Sequence, residues 1–160
     1  MLSENLVSAL NKQMNIEFQA AHDYMAMAAY CHSISYNGFA EFFLSQAAEE
    51  RDHGMKVYTY LNDKGHLAVF SALKEPKSEY GAIDTFTAAL AQERAVTKSY
   101  YEIYAIAEKE REYQTLSFLN WFLDEQVEEE ATFETHIDYL TRIKDDANAL
   151  YNYEQTFSAE

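Results

Sequence analysis

Cysteine, proline and glycine are scarce in this 160-residue chain: one Cys, one Pro and four Gly. The lone Cys31 excludes an internal disulfide framework and any multi-cysteine zinc or iron–sulfur site. As a small apolar side chain it is expected in the core. So few Gly and Pro leave too few turn formers for a sandwich or barrel, and long helices are favoured. Long apolar runs are missing too. The longest, Tyr24 to Cys31, is far short of the ~20 residues that span a bilayer. The opening MLSENLVSAL has no basic region ahead of an apolar block, so it is not read as a signal peptide. A soluble, cytoplasmic protein is the expectation. Positive charge is also sparse: 12 Lys and Arg stand against 27 Asp and Glu, a net charge of −15. That balance repels nucleic acid and anionic membranes and draws cations, although on its own it also serves plain solubility.

The length fits one domain, residues 1–160, with a core of its own. Breaks in the pattern are few. Ser33 to Gly38 carries a turn signal, Gly65 to Gly81 contains the only proline, Pro76, and Lys109–Glu112 and Lys144–Asp146 are weaker polar breaks. Between them apolar residues recur at helical spacing. The stripes are Leu6, Leu10, Met14, Ala21, Tyr24 and Ala28; Phe39, Phe43, Val57 and Leu61; Phe86, Leu90, Val96, Tyr100, Tyr104 and Ala107; and Leu116, Leu119, Phe122, Leu123, Phe133, Ile137 and Leu140. Four helices starting near residues 4, 38, 82 and 113 are predicted, with a short fifth over Ala147 to Phe157. At 1.5 Å per residue each long helix measures about 40 Å. The first connection is short, so helices one and two are antiparallel neighbours. The stretch from Gly65 to Gly81 can extend ~50 Å, enough to return the chain along a whole helix. The expected architecture is an all-α four-helix bundle with one long crossover between helices two and three, plus a short C-terminal helix.

Each stripe is interrupted near mid-helix by polar residues. They are Glu17 on helix one, Glu50 and His53 on helix two, Glu93 on helix three, and Gln126 and Glu129 on helix four. Matching depths place all of them in one layer of the bundle. Four carboxylates buried together repel and lose their hydration, and no Lys or Arg lies squarely on those stripes. Two divalent cations would supply +4 against Glu17, Glu50, Glu93 and Glu129, with His53 neutral. Carboxylates with one imidazole suit iron or manganese. So few ligands for two ions leave open positions for water or dioxygen, and a carboxylate such as Glu50 could bridge them.

At these residues the chain resembles the non-haem ferritins of bacteria. The resemblance runs through nearly the whole sequence and rests on Leu10 to Phe18 (LNKQMNIEF), Ala47 to Gly54 (AAEERDHG) and Ser117 to Phe133 (SFLNWFLDEQVEEEATF). Ferritin-like proteins are a named example of the di-iron bundle scheme. The resemblance implies that Glu17, Glu50 and His53 hold a first iron, and that Glu50, Glu93 and Glu129 hold a second. It places Gln126 beside the second ion and makes Tyr24 a hydrogen-bond partner and possible electron donor. It adds a third iron site from Glu49, Glu125 and Glu128 with Glu129. Departures separate the relatives. Bacterioferritins carry a second Glu-x-x-His where this chain has Gln126 and Glu129, and their haem-ligating Met position holds Arg51, so no haem is expected. Rubrerythrins would need cysteine pairs.

The resemblance further implies ferroxidase activity on Fe(II) with dioxygen or peroxide, iron storage as mineral, and a hollow homo-oligomeric shell of 24 subunits with the fifth helix near its four-fold axes. Two other readings fit the residues alone: a di-iron or di-manganese oxidase or catalase-like bundle without a shell, and a helical metal buffer that does not turn over dioxygen. Trp121, Tyr100, Tyr101 and Tyr104 are expected to serve packing. His22, His32 and His66 are expected on the surface or in loops, and Glu130 on a solvated face.

Overall fold

The computed structural model describes residues 1–157, so the last three residues of the expected 1–160 domain lie outside the described residues. It consists of α1 (Glu4–Ser33), α2 (Asn37–Asp63), α3 (Asp84–Glu110), α4 (Tyr113–Ile143) and α5 (Ala147–Phe157). The first and last helices start on side-chain caps, whereas α2, α3 and α4 have none. The Ser3 hydroxyl accepts from the Leu6 N–H at 3.1 Å, and the Asp146 carboxylate accepts from the Asn148 and Ala149 N–H groups at 3.0 Å. Such contacts satisfy N–H groups that a helix's first turn leaves unpaired.

Three long helices stop in the same way. After α1, the Tyr36 N–H reaches back to the Cys31 carbonyl at 2.9 Å; after α2, His66 reaches Leu61 at 2.9 Å; after α3, Glu112 reaches Ala107 at 2.9 Å. The pivot residue in each case is left-handed: Ser35 at φ 64°, Gly65 at φ 76° and Arg111 at φ 58°. Glycine is the usual occupant of this position, yet only one of the three uses it. The turn after α1 falls within the expected Ser33–Gly38 break, and Asn37 and Gly38 at its end already lie in the first turn of α2.

The crossover covers residues 64–83, wider than the Gly65–Gly81 expectation because α2 ends at Asp63 and α3 begins at Asp84. It runs alongside α1 on a row of side-chain amides. Asn11 Oδ1 accepts from the Val69 N–H at 2.6 Å, Asn15 Oδ1 from Ser71 at 2.8 Å, and Gln19 Oε1 from Lys74 at 2.7 Å. The same amides donate to the Leu67, Val69 and Lys74 carbonyls at 3.3, 2.8 and 3.1 Å. A spacing of four residues keeps the three amides on one helix face. An extended segment with no sheet to join thereby finds partners for its backbone. It carries the chain back to the end where α2 began, so α3 runs antiparallel to α1.

The core is divided. One apolar cluster includes Tyr24, Cys31, Phe39, Phe43, Phe86, Phe133 and Leu140. The other includes Leu6, Leu10, Met14, Val57, Leu61, Tyr100, Leu119 and Phe122. Each fully buried Leu or Phe contributes roughly 1.5–3 kcal/mol. The stripes follow the expectation, with Tyr104, Leu116, Leu123 and Ile137 half-buried at their edges and Ala20, not the half-buried Ala21, the buried residue of α1. α5 closes the first cluster: Phe157 packs edge-on against Phe39 at 5.1 Å, and the buried Glu154 accepts from the Gly38 N–H at the start of α2. Between the two clusters lies a polar layer.

The amide row gives a direct prediction. Asn15→Ala removes both contacts to the crossover and should destabilise the fold by about 1–2 kcal/mol. Thermal melts should show a drop of a few degrees, with faster proteolysis inside 64–83; a wild-type melt and wild-type proteolysis would contradict this role.

Candidate metal centre

The polar layer holds every mid-helix residue that interrupted a stripe. Glu17, Glu50 and Glu93 are 0% exposed, His53 4%, Gln126 2% and Glu129 6%. No cation stands among them: Arg51, Arg94 and Lys56 are all exposed, and Arg94 pairs outward with Glu134 at 2.7 Å. Glu50 and His53 lie one turn apart on α2, with His53 Nδ1 3.5 Å from Glu50 Oε2. Gly54 directly follows His53, and a Cβ there would meet the Phe18 ring at 2.8 Å, so α1 and α2 approach closely beside the site.

Donors surround the layer and grip the carboxylates from behind. The Tyr24 hydroxyl donates to Glu93 Oε1, and the Tyr100 hydroxyl to Glu17 Oε1. Gln13 Nε2 donates to the same Glu17 oxygen at 2.8 Å. Gln46 Nε2 donates to Glu129 Oε2 at 2.8 Å, and Gln126 Nε2 to Glu93 Oε2 at 3.1 Å. After these bonds, Glu17 Oε2 and both oxygens of Glu50 remain buried with no donor. A buried carboxylate oxygen without a donor is costly, and a cation resolves the cost.

The electrostatics agree. Burial raises the Glu17 carboxyl well above its ordinary range, and the Glu50 charge raises it further. Burial likewise raises Glu50, with Glu93 adding repulsion. Glu93 is raised by burial, against the pull of the Tyr24 and Gln126 bonds. Glu129 is pushed up to about 7, first by burial and then by Glu93. Carboxylates in this state take up either protons or metal ions, and metal binding needs them deprotonated.

Glu17, Glu50 and His53 can each offer a ligand atom such that all three lie within 4.8 Å of one another. Among the described residues this is the set that gathers so tightly. Glu93 and Glu129 lie in the same layer, with their oxygens engaged by Tyr24, Gln126 and Gln46. Glu49 and Glu128 are exposed and Glu125 is half-buried. Of these, Glu49 makes itself felt at the layer, where its charge raises both Glu50 and Glu129. Trp121 is 38% exposed, meets the His53 ring edge-on at 5.4 Å and lies under the Lys56 ammonium at 4.1 Å. His22 and His32 are exposed, and His66 is in the crossover. Glu130 is half-buried and accepts from Thr97 at 3.1 Å, so it is not simply on a solvated face.

Tyr100 packs as expected, buried with its ring stacked on Phe122, and in addition its hydroxyl is bonded to Glu17 in the layer itself. Tyr101 is exposed and Tyr104 half-buried, so the cluster splits. Gln13 and Gln46 carry no charge, and the stripe pattern does not single them out. A sequence signal existed for Tyr100: it stands seven residues after Glu93, as Tyr24 stands seven after Glu17.

A sequence profile described as a ferritin-like domain matches residues 7–143. The chain belongs to the ferritin family. It is 59% identical over 160 residues to a bacterial non-heme ferritin of Staphylococcus epidermidis, covering 99% of this chain and 96% of the relative. The same identity and coverage relate it to a bacterial non-heme ferritin of Staphylococcus aureus. Among solved structures, an open pore ferritin from the hyperthermophilic archaeon Archaeoglobus fulgidus superposes with a TM-score of 0.98 at 34% identity, over 100% of this chain and 99% of that one. A closed form of the Archaeoglobus fulgidus ferritin, engineered by mutagenesis, gives 0.97 at 35% identity, over 100% and 98%. The four-helix bundle with a short C-terminal helix is thus the ferritin fold.

The raised carboxyls predict a pH effect on the metal-free protein. Glu129 ordinarily titrates at 4.5 but in the fold at about 7, so the folded chain binds its proton more tightly than the unfolded chain. The stability it contributes is full below about pH 4.5 and is lost as pH rises through about 7. Melts of metal-free wild type and Glu129→Gln across this window should show the wild type losing ground to the variant as pH rises. A constant difference between them would contradict the assignment.

Proposed function

We propose that this chain is an iron-storage ferritin subunit with ferroxidase activity, working as a single domain over 1–160. The observation that carries the reading is the buried carboxylate layer whose Glu17 Oε2 and Glu50 oxygens receive no hydrogen bond. Fe(II) is the substrate. Glu17, Glu50 and His53 hold one ion. Glu93 and Glu129 hold a second, with Glu50 between the two because both of its oxygens are free. Gln126, bonded to Glu93 and within 3.1 Å of Thr97, stands beside the second ion. Tyr24 orients Glu93 and is available as an electron donor.

Dioxygen, or peroxide, takes electrons from both ions, and Fe(III) then hydrolyses and passes to a mineral. The protein contributes position, charge compensation and a site that tolerates both oxidation states. Glu49, Glu125 and Glu128, with Glu129, form the acidic approach on which a third ion would sit. A mineral needs a container, and one bundle is not one, so a shell of 24 copies completes the reading. The net charge of −15 per chain suits an acidic wall that gathers cations. No helix among the described residues is long and apolar enough to cross a membrane, and the cytoplasm is the proposed location.

Glu50→Ala or His53→Ala should leave the shell assembled but slow Fe(II) oxidation about 100-fold or more, since even outer-shell changes at metal sites cost 10–100-fold. Stopped-flow oxidation with a sizing profile checks this, and unchanged initial rates would sink the site. Changing Glu49 and Glu125 to Ala together should alter the Fe:O₂ ratio more than the initial rate. A wild-type ratio, measured with an oxygen electrode, would count against the third site.

A further inference from the structure

Two tyrosines cross the same gap in opposite directions. Tyr24 on α1 donates to Glu93 on α3, and Tyr100 on α3 donates to Glu17 on α1. Each stands two turns beyond the glutamate of its own helix, on the same face. α1 and α3 are therefore braced by a reciprocal pair of bonds, both of which end on carboxylates of the centre.

The braces leave the two carboxylates in different states. Glu93 takes Tyr24 on Oε1 and Gln126 on Oε2, at 3.1 Å for the latter. Glu17 takes Tyr100 and Gln13 on the same oxygen, Oε1, with Gln13 at 2.8 Å, while Oε2 is buried without a donor. A carboxylate oxygen has about two acceptor directions, so two donors fill Oε1. Both donors are themselves held. The Ser99 hydroxyl donates to Gln13 Oε1 at 2.5 Å, which turns the amide nitrogen toward Glu17. The Tyr100 ring is stacked on Phe122 at 4.8 Å and 21°, and both Tyr100 and Gln13 are 0% exposed.

We propose that Tyr100 and Gln13 are positioning residues that lock the rotation of the Glu17 carboxylate and aim Oε2 at a divalent cation shared with Glu50 and His53. The proposal rests on the reading of the centre given above. With both donors on Oε1, Glu17 binds through one oxygen in one orientation. Without them the carboxylate turns freely, and the ion loses a prearranged ligand. Three residues, Ser99, Gln13 and Tyr100, thus tie the geometry of the α1–α2 half of the centre to α3.

Anaerobic titration of the metal-free assembled protein with Co(II), whose visible absorption reports coordination, tests this without turnover. Tyr100→Phe keeps the ring on Phe122 and removes only the hydroxyl; Gln13→Met keeps the bulk and removes the amide. Both should weaken one class of Co(II) site about tenfold or more and shift its visible band, while circular dichroism melts and sizing stay near wild type. Glu17→Ala should abolish that same class, and Tyr24→Phe should perturb the other. If Glu17→Ala abolishes the class but Tyr100→Phe and Gln13→Met bind Co(II) with wild-type affinity and band, the positioning role is overturned and the centre stands. If Glu17→Ala leaves both classes intact, the centre itself is misassigned and the proposal falls with it. Should Tyr100→Phe disturb assembly, Gln13→Met decides alone.

Discussion

Four carboxylates share one buried layer, and the rest of the molecule is arranged around that constraint. Glu17, Glu50, Glu93 and Glu129 come from four different helices, so their mutual repulsion acts to push the bundle apart. No Lys or Arg of the stripes counters it. Tyrosine and glutamine side chains offset part of the cost by donating to Glu17, Glu93 and Glu129, and Glu50 is left with no donor at all. The layer is complete only when something positive enters it. Burial raises every one of these carboxyls, so in the metal-free chain it favours protons there. Iron is the functional occupant in the ferritin reading.

The surrounding architecture holds the layer against its own repulsion. Two apolar clusters clamp it from above and below, each rich in aromatic rings. The crossover, pinned to the amides of Asn11, Asn15 and Gln19, returns the chain so that α3 faces α1 in the direction that lets Tyr24 and Tyr100 reach across reciprocally. Gly54 keeps α1 and α2 close just where His53 turns inward. α5 adds a lid to one cluster and a buried carboxylate, Glu154, at the start of α2.

Helices and their inward faces were legible because the apolar residues repeat at helical spacing, and the centre was legible because its residues break that repeat at equal depth. What stayed hidden had physical reasons. Tyr100 continues an apolar stripe, so its ring disguises a hydroxyl that serves Glu17. Gln13 and Gln46 are neutral and carry no charge signal, yet each holds a carboxylate. Ser35 and Arg111 adopt the left-handed turn usually given to glycine: their helix ends fall within the expected breaks, while the pivot residues themselves do not stand out in the sequence. The third site on Glu49, Glu125 and Glu128 is implied by the resemblance; the fold leaves Glu49 and Glu128 exposed and Glu125 half-buried.

The central claim is that the carboxylate layer holds two divalent cations per chain. Crystals of the protein soaked anaerobically in Fe(II), with diffraction recorded on both sides of the iron absorption edge, test it most directly. Two iron peaks per chain are predicted inside the bundle, one among Glu17, Glu50 and His53 and one among Glu50, Glu93 and Glu129. Iron found only on the acidic surface, with the buried layer free of any peak, would contradict the account.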